Sequence, residues 1–318
     1  MPNEPVILLQ SVSRRFGGVA AVRDLSLSIH SGELVGLVGP SGSGKTTTVR
    51  MLCGILAPDE GTIRVFGRDP LHFGPADRMR IGYLPQHFLL YPNLSAIANV
   101  SFMAGLYGLG PFARRRRLRE VLEMVELWPV RHRLTSELSG GMQRRLALAA
   151  TLTHDPELLF LDEPTAGQDP ILRRKIWEWL RALERRGRTL LVTTHYMSDA
   201  EQCGRVALMD AGHLVAFDTP ETLRRRAFGG DILELIVRRD IFAFLRVLEK
   251  LRPVRGIEVR PKDRLLVTVD DLGKSLPEVI AVLQAENLAP ESLREVQPPF
   301  EDVFERLIRQ HQRRERAS

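Results

Sequence analysis

The sequence predicts an α/β protein built on a mainly parallel sheet, followed by a smaller α+β domain. Short apolar runs at 34–38, 158–161 and 189–193 lack alternation, as strands buried on both faces do. Helical spacings at 114–126, 142–153 and 171–186 lie between them, the order of a sheet covered by helices. The chain has 318 residues, long enough for two separate cores.

The elements follow in order. Segments 6–13 and 25–30 alternate apolar and polar residues and predict strands. The apolar run 34–38 leads into a glycine-rich segment at 39–44, and then a helix from Lys45 through Leu52. The pattern changes at Phe228, Gly229 and Gly230, so a first domain is expected over 1–228 and a second over 231–318. Within the second, the pattern predicts a strand at 232–237, a helix at 241–251, strands at 257–259 and 265–269, a helix at 276–285 and a strand at 292–296. That order is β-α-β-β-α-β, the ferredoxin-like arrangement. A last helix at 300–308 leads into a basic tail.

Composition narrows the function classes. Hydrophobic residues make up 44% and charged residues 26%, which excludes disorder as the main state. Lys and Arg number 45 against 39 Asp and Glu, and a net charge of +6 is too small to point to nucleic acid. It suits solubility, or an anionic membrane leaflet, equally well. Arg114, Arg115, Arg116 and Arg117 lead into Leu118, Val121, Leu122 and Val125 at helical spacing, so they read as a solvated helix face. Cys53 and Cys203 form no Cys-x-x-Cys pair and imply no disulfide framework, consistent with a reducing compartment. The first five residues lack a positive region before an apolar core, so no signal peptide is expected. No run reaches the roughly 20 apolar residues of a membrane helix. Residues 81–113 contain no Asp, Glu, Lys or Arg, but Pro85, Gln86, Pro92, Asn93 and Asn99 interrupt them. Half of that stretch is expected in the core and half against a protein partner.

Two motifs carry chemistry. Gly39, Pro40, Ser41, Gly42, Ser43, Gly44, Lys45 and Thr46 fit G-x-x-x-x-G-K-[ST], with Thr47 next in the helix and an apolar strand before. Glycines let backbone N–H groups turn inward around phosphates, and the helix N-terminus adds its positive dipole end. Lys45 then reaches the β- and γ-phosphates, and the Thr46 hydroxyl ligates magnesium. Taken alone, the loop says only nucleoside triphosphate. The run 158–161 ends in Asp162, Glu163 and Pro164. Asp162 at such a strand end holds magnesium, usually through water, and Glu163 orients and deprotonates an attacking water. That division of roles points to hydrolysis rather than transfer to a substrate hydroxyl.

Leu138, Ser139, Gly140, Gly141, Met142 and Gln143 resemble the signature motif of ABC (ATP-binding cassette) ATPases, lying just ahead of the Asp-Glu strand. Ser139 also suits a helix N-cap, and the two roles are compatible. The resemblance covers about 6–225 and implies a P-loop NTPase cassette with a helical subdomain at about 87–155. It also implies that Ser139, Gly140 and Gly141 meet the ATP of a second ATP-binding subunit, either an identical copy or a relative. By the same resemblance Phe16 stacks on adenine, Gln86 joins the magnesium site to a membrane partner, and His195 contacts the γ-phosphate. Ala166, Gly167, Gln168 and Asp169 look like the loop that crosses the dimer seam, with Gln168 where an aliphatic residue is usual. The implied cofactors are ATP and Mg2+, with Glu163, His195 and Gln86 in catalysis and Thr46, Gln86 and Asp162 at the metal. Met142, the wording Ala-Gly-Gln-Asp-Pro and the segment Pro298, Pro299, Phe300, Glu301, Asp302, Val303 and Phe304 resemble the ATPases of ABC-2 type exporters. That implies transmembrane permease subunits on separate chains and a peripheral place on the cytoplasmic face of the cell membrane. No nucleic acid is expected.

The alternative is a soluble ABC ATPase, associated with ribosomes or cluster assembly. Ribosome types carry two cassettes, and cluster-assembly chains are usually shorter and lack such a second domain. The interval from Thr46 to Leu138 is too short for the coiled coil of DNA-repair types. A small-molecule kinase would lack the signature.

Overall fold

A computed structural model describes residues 4–87, 90–238 and 240–315. Phe88 and Leu89 of the charge-free stretch, and the last three residues of the expected basic tail, lie outside them. The chain divides into two compact units, at Phe217/Asp218.

In the first unit, β1 (Ile7–Phe16), β2 (Val19–Ile29) and β4 (Glu60–Val65) form an antiparallel sheet in the order β2-β1-β4. The second sheet has six strands in the order β5-β6-β7-β3-β8-β9. These are β3 (Leu34–Val38), β5 (Ile81–Leu84), β6 (Leu158–Asp162), β7 (Thr189–Thr194), β8 (Arg205–Asp210) and β9 (His213–Asp218). The first five in that order pair parallel. Every residue of β3, β6 and β7 is buried, as unalternating apolar runs require. Register fixes the site: Val38 pairs Thr194 and Asp162 pairs Thr193, so three strands end level. In open α/β sheets ligands bind at those carboxyl ends.

Five longer helices belong to this unit. They are α1 (Lys45–Leu52), α3 (Ala96–Leu106), α4 (Pro111–Met124), α5 (Gly140–Thr151) and α6 (Pro170–Arg185); α2 (Pro75–Met79) is short. α1 runs over the predicted span, and α4, α5 and α6 start one to three residues earlier because Pro or a cap begins them. α6 buries Ile176, Trp177, Leu180 and Leu183, one face at helical spacing. α3, α4 and α5 pack on one another inside the expected helical region.

The second unit holds α7 (Pro220–Phe228), β10 (Asp231–Ile236), α8 (Ile241–Leu248), β11 (Val254–Arg260), β12 (Arg264–Val269), α9 (Leu272–Ala285), β13 (Ser292–Glu295) and α10 (Phe300–Glu315). Its antiparallel sheet has the order β11-β12-β10-β13. Leu233, Leu235, Val267 and Val269 face Phe244, Leu248, Val279 and Leu283 in one core. Several boundaries differ from expectation; α8 ends at Leu248 rather than 251, and β11 runs Val254–Arg260 rather than 257–259. The division falls before α7 rather than after it, because α7 packs on α10 and β10. α9 starts four residues early, where Asp271 caps it through the Lys274 N–H. α10 continues to Glu315, so most of the expected tail is helical.

Phe160 in β6 is fully buried. Phe160→Ala is expected to destabilise the first unit by about 3–5 kcal/mol. Denaturant unfolding checks this, and a loss under about 1 kcal/mol would contradict the packing described here.

Candidate active site

The phosphate loop joins β3 to α1. Gly44 is left-handed, at φ 102°, and a Cβ there would stand 2.4 Å from the Ala21 carbonyl oxygen, so only glycine fits. Lys45 is buried and folds back, its Nζ donating to the Gly39 and Pro40 carbonyls at 2.8 and 2.9 Å. Burial pushes its pKa down from the usual lysine value, while the charges of Glu163 and Asp162 pull it up. A triphosphate would restore the anionic company that burial removes.

Asp162 closes β6 at 0% exposure. Its Oδ1 accepts from Thr46 Oγ1 at 3.2 Å and from Thr193 Oγ1 at 2.5 Å. Its Oδ2 is buried and has no hydrogen-bond partner among the described residues. A lone buried carboxylate oxygen beside a helix-borne hydroxyl fits magnesium, which takes hard oxygen donors and keeps several waters. Thr46 and Asp162 would hold the ion, which would neutralise phosphate charge when bound.

Glu163 has φ 52°, left-handed for a non-glycine residue, which costs roughly 1–2 kcal/mol. Its N–H donates to Thr193 at both the carbonyl (3.1 Å) and the hydroxyl (3.0 Å), which holds it there. Gln86 Nε2 donates to Glu163 Oε2 at 3.3 Å. His195 Nδ1 lies 3.2 Å from Glu163 Oε1 but outside hydrogen-bond alignment. So Gln86, Glu163 and His195 come together, whereas no hydrogen bond among the described residues joins Gln86 to Thr46 or Asp162.

Ser139 caps α5 through the Met142 N–H at 3.3 Å. Ser139 and Gly140 are exposed, and no hydrogen bond among the described residues links Ser139, Gly140 or Gly141 to residues 39–47. Gln168 reaches this motif within the chain: its Oε1 stands 2.9 Å from where a Gly141 Cβ would be. Asp169, in the same loop, caps α6 through the Ile171 and Leu172 N–H groups. Phe16 ends β1 half exposed, its ring 5.0 Å from the Arg14 guanidinium.

Sequence inspection missed Arg144. It is buried on α5 and donates to the carbonyls of Gln86 (2.7 Å), Pro85 (3.3 Å), Asp162 and Glu163 (both 2.6 Å). One guanidinium thus ties α5 to the segments that carry Gln86 and the Asp162–Glu163 pair. Burial lowers its pKa, offset in part by the Asp162 and Glu163 charges. Its signal was an Arg one turn past Gly141 among residues that pack inward; its four backbone partners leave no mark in a sequence.

On α3 of the charge-free stretch, Ala96, Asn99, Val100 and Ala104 are buried. Tyr91, Phe102, Leu106 and Phe112 are exposed, Phe112 at 94%.

Residues 22–166 match the family described as ABC transporter. The chain is 36% identical over 303 residues to the daunorubicin resistance ATP-binding protein of Streptomyces coeruleorubidus, covering 95% of each. It is also 36% identical over 311 residues to the Nod factor export ATP-binding protein of Ralstonia nicotianae, covering 96% of this chain and 94% of that one. A probable multidrug ABC transporter ATP-binding protein of Escherichia coli is 39% identical over 226 residues, where the match takes in 71% of this chain but only 39% of that longer relative. Among solved structures, an ATP-binding subunit of an ABC transporter superposes with TM-score 0.64 at 25% identity, over 70% of this chain and 93% of that one. A dimeric ATP-binding cassette in a post-hydrolysis state with ADP and Pi gives TM-score 0.62 at 29% identity, over 67% of this chain and 98% of that one.

Arg144→Lys keeps the charge but cannot reach four carbonyls. It is expected to lower stability by about 2 kcal/mol in denaturant unfolding. An unchanged midpoint would remove Arg144 as the tie.

Proposed function

The chain belongs to the ABC transporter family, and on that premise we propose that it is the ATP-binding and ATP-hydrolysing subunit of an ABC-2 type exporter. The observation that carries the proposal is the Glu163 carboxylate beside Gln86 and His195, on a backbone whose N–H Thr193 holds, next to the Asp162 knot.

ATP lies along residues 39–47, with its γ-phosphate at Lys45 and its adenine against Phe16. Lys45 leaves the loop carbonyls for the β- and γ-phosphate oxygens, and the N–H groups at the start of α1 complete the cradle. Glu163 accepts a proton from the attacking water. Gln86 holds that carboxylate by a hydrogen bond, and His195 stands against its other oxygen, where both face the γ-phosphate. The γ-phosphate is met from the far side by Ser139, Gly140 and Gly141 of a second ATP-binding subunit. The exposure of Ser139 and Gly140, unconnected to their own loop, supports this division between two chains. ATP binding then draws two subunits together, and hydrolysis releases them, a nucleotide switch.

No helix among the described residues is long and apolar enough to cross a membrane. The spanning helices then lie on separate permease chains, and this chain sits peripherally at the cytoplasmic face of the membrane. Exposed Tyr91, Phe102, Leu106 and Phe112, all C-terminal to Gln86 in the chain, supply an apolar surface for that contact. Gln86 carries the state of Glu163 toward it. The names of the relatives concern chemically unlike compounds, daunorubicin and Nod factors, which supports export as the shared activity with cargo selected elsewhere.

Glu163→Gln should retain ATP and accumulate a closed dimer, read by size-exclusion chromatography with ATP and magnesium. Brisk turnover in that variant would remove Glu163 from the base role. Lys45→Ala should abolish ATP binding in calorimetric titration, and unchanged affinity would break the phosphate-loop assignment.

A further inference from the structure

We propose that Asp199 is a positioning residue for ATP hydrolysis, a buried carboxylate that sets the spacing between Glu163 and His195. This rests on the ATPase function proposed above and adds a residue that no motif supplied.

Asp199 lies in the short turn Met197–Gln202 after β7 and is 2% exposed. Its two oxygens divide their work. Oδ1 accepts from α6: Arg173 Nε at 2.9 Å, Arg173 Nη2 at 2.7 Å and Trp177 Nε1 at 2.7 Å. Oδ2 accepts from Thr194 Oγ1 at 2.8 Å and Thr165 Oγ1 at 3.3 Å. Thr194 immediately precedes His195, and Thr165 lies two residues after Glu163. One oxygen thereby joins the backbone segments that carry the two residues, while the other anchors both to a packed helix.

The surroundings reinforce the tie. Thr194 Oγ1 also accepts from the Tyr196 N–H at 3.0 Å. The Arg173 guanidinium lies 4.1 Å from the Tyr196 ring, whose centroid is 4.1 Å from that of His195. Arg173 supplies the charge that a buried carboxylate needs, so the pair is stable only as a unit. Glu163 is held in a left-handed conformation, which persists only where neighbours over-determine it. The Asp199 tie is one such constraint, acting at 165, downstream of the strained residue. None of its hydrogen bonds reaches residues 39–47, so it governs the geometry of the reacting pair rather than nucleotide binding.

The test is steady-state ATP hydrolysis by the full chain and its Asp199→Asn variant, with hydrogen exchange of both. Asparagine removes the charge that pairs with Arg173, and its N–H2 faces hydroxyls that must turn from donating to accepting, which weakens that arm of the tie. kcat should fall about 10- to 100-fold, as for other residues that orient a catalytic group, with KM for ATP within about twofold. Amides at 163–167 and 194–197 should exchange faster together. Wild-type kcat in the variant, or a rise in KM with kcat unchanged, overturns the proposal. If Asp199→Asn does not fold, Thr165→Val removes only the 3.3 Å arm and is judged by the same kcat and KM criteria. Absence of ATP turnover in the unsubstituted chain would overturn the proposed function and this role with it. Turnover there with an indifferent Asp199→Asn overturns this role alone.

Discussion

One carboxylate organises the site. Asp162 closes β6 without exposure, and its Oδ1 gathers Thr46 from α1 and Thr193 from β7. Three parallel strands end level because Val38 pairs Thr194 and Asp162 pairs Thr193, so these side chains meet without a long reach. A buried charge with one unpartnered oxygen is costly unless a cation meets it. The fold carries that cost where a magnesium–triphosphate would offset it. The other features follow from this knot. Glu163 takes its strained φ because Thr193 holds its N–H, and Arg144 locks the Asp162 and Glu163 carbonyls to α5.

Arg144 also connects the phosphate site to the signature helix and to the Gln86 segment, which leads to the exposed apolar residues around α3. Movement at any of the three is mechanically felt by the others. Gln168 adds a second link, since its amide covers Gly141. The residue that departs from the usual aliphatic type thus contacts its own signature motif. In the proposed dimer the loop would report on both its own chain and the opposite one.

Much of this was legible in the sequence. The phosphate loop was, because glycine at φ 102° against the Ala21 carbonyl has no substitute and the motif records that demand. β3, β6 and β7 were, because burial on both faces leaves unbroken apolar runs. β4 was not, since four of its six residues are exposed and its pattern resembles a loop. α3 escaped because it is apolar around its circumference, so no stripe marks a period. α7 reads as an end to the first domain, yet its buried Leu223 and Ala227 serve the second unit. Arg144 and Asp199 escaped for another reason: the backbone carbonyls that Arg144 meets, and the Arg173, Trp177, Thr165 and Thr194 side chains that Asp199 meets, are brought near only by folding. Gln86 was assigned to the metal and to catalysis by resemblance, and its hydrogen bond to Glu163 is a contact that only the fold reveals.

In the proposed mechanism hydrolysis needs two chains, each lending Ser139, Gly140 and Gly141 to the other's triphosphate. The most direct measurement is specific ATPase rate against protein concentration, with ATP and magnesium saturating. The account predicts a rate per chain that rises with concentration and then levels as dimers fill. A rate per chain that stays constant down to high dilution, with no association on adding nucleotide, would contradict it.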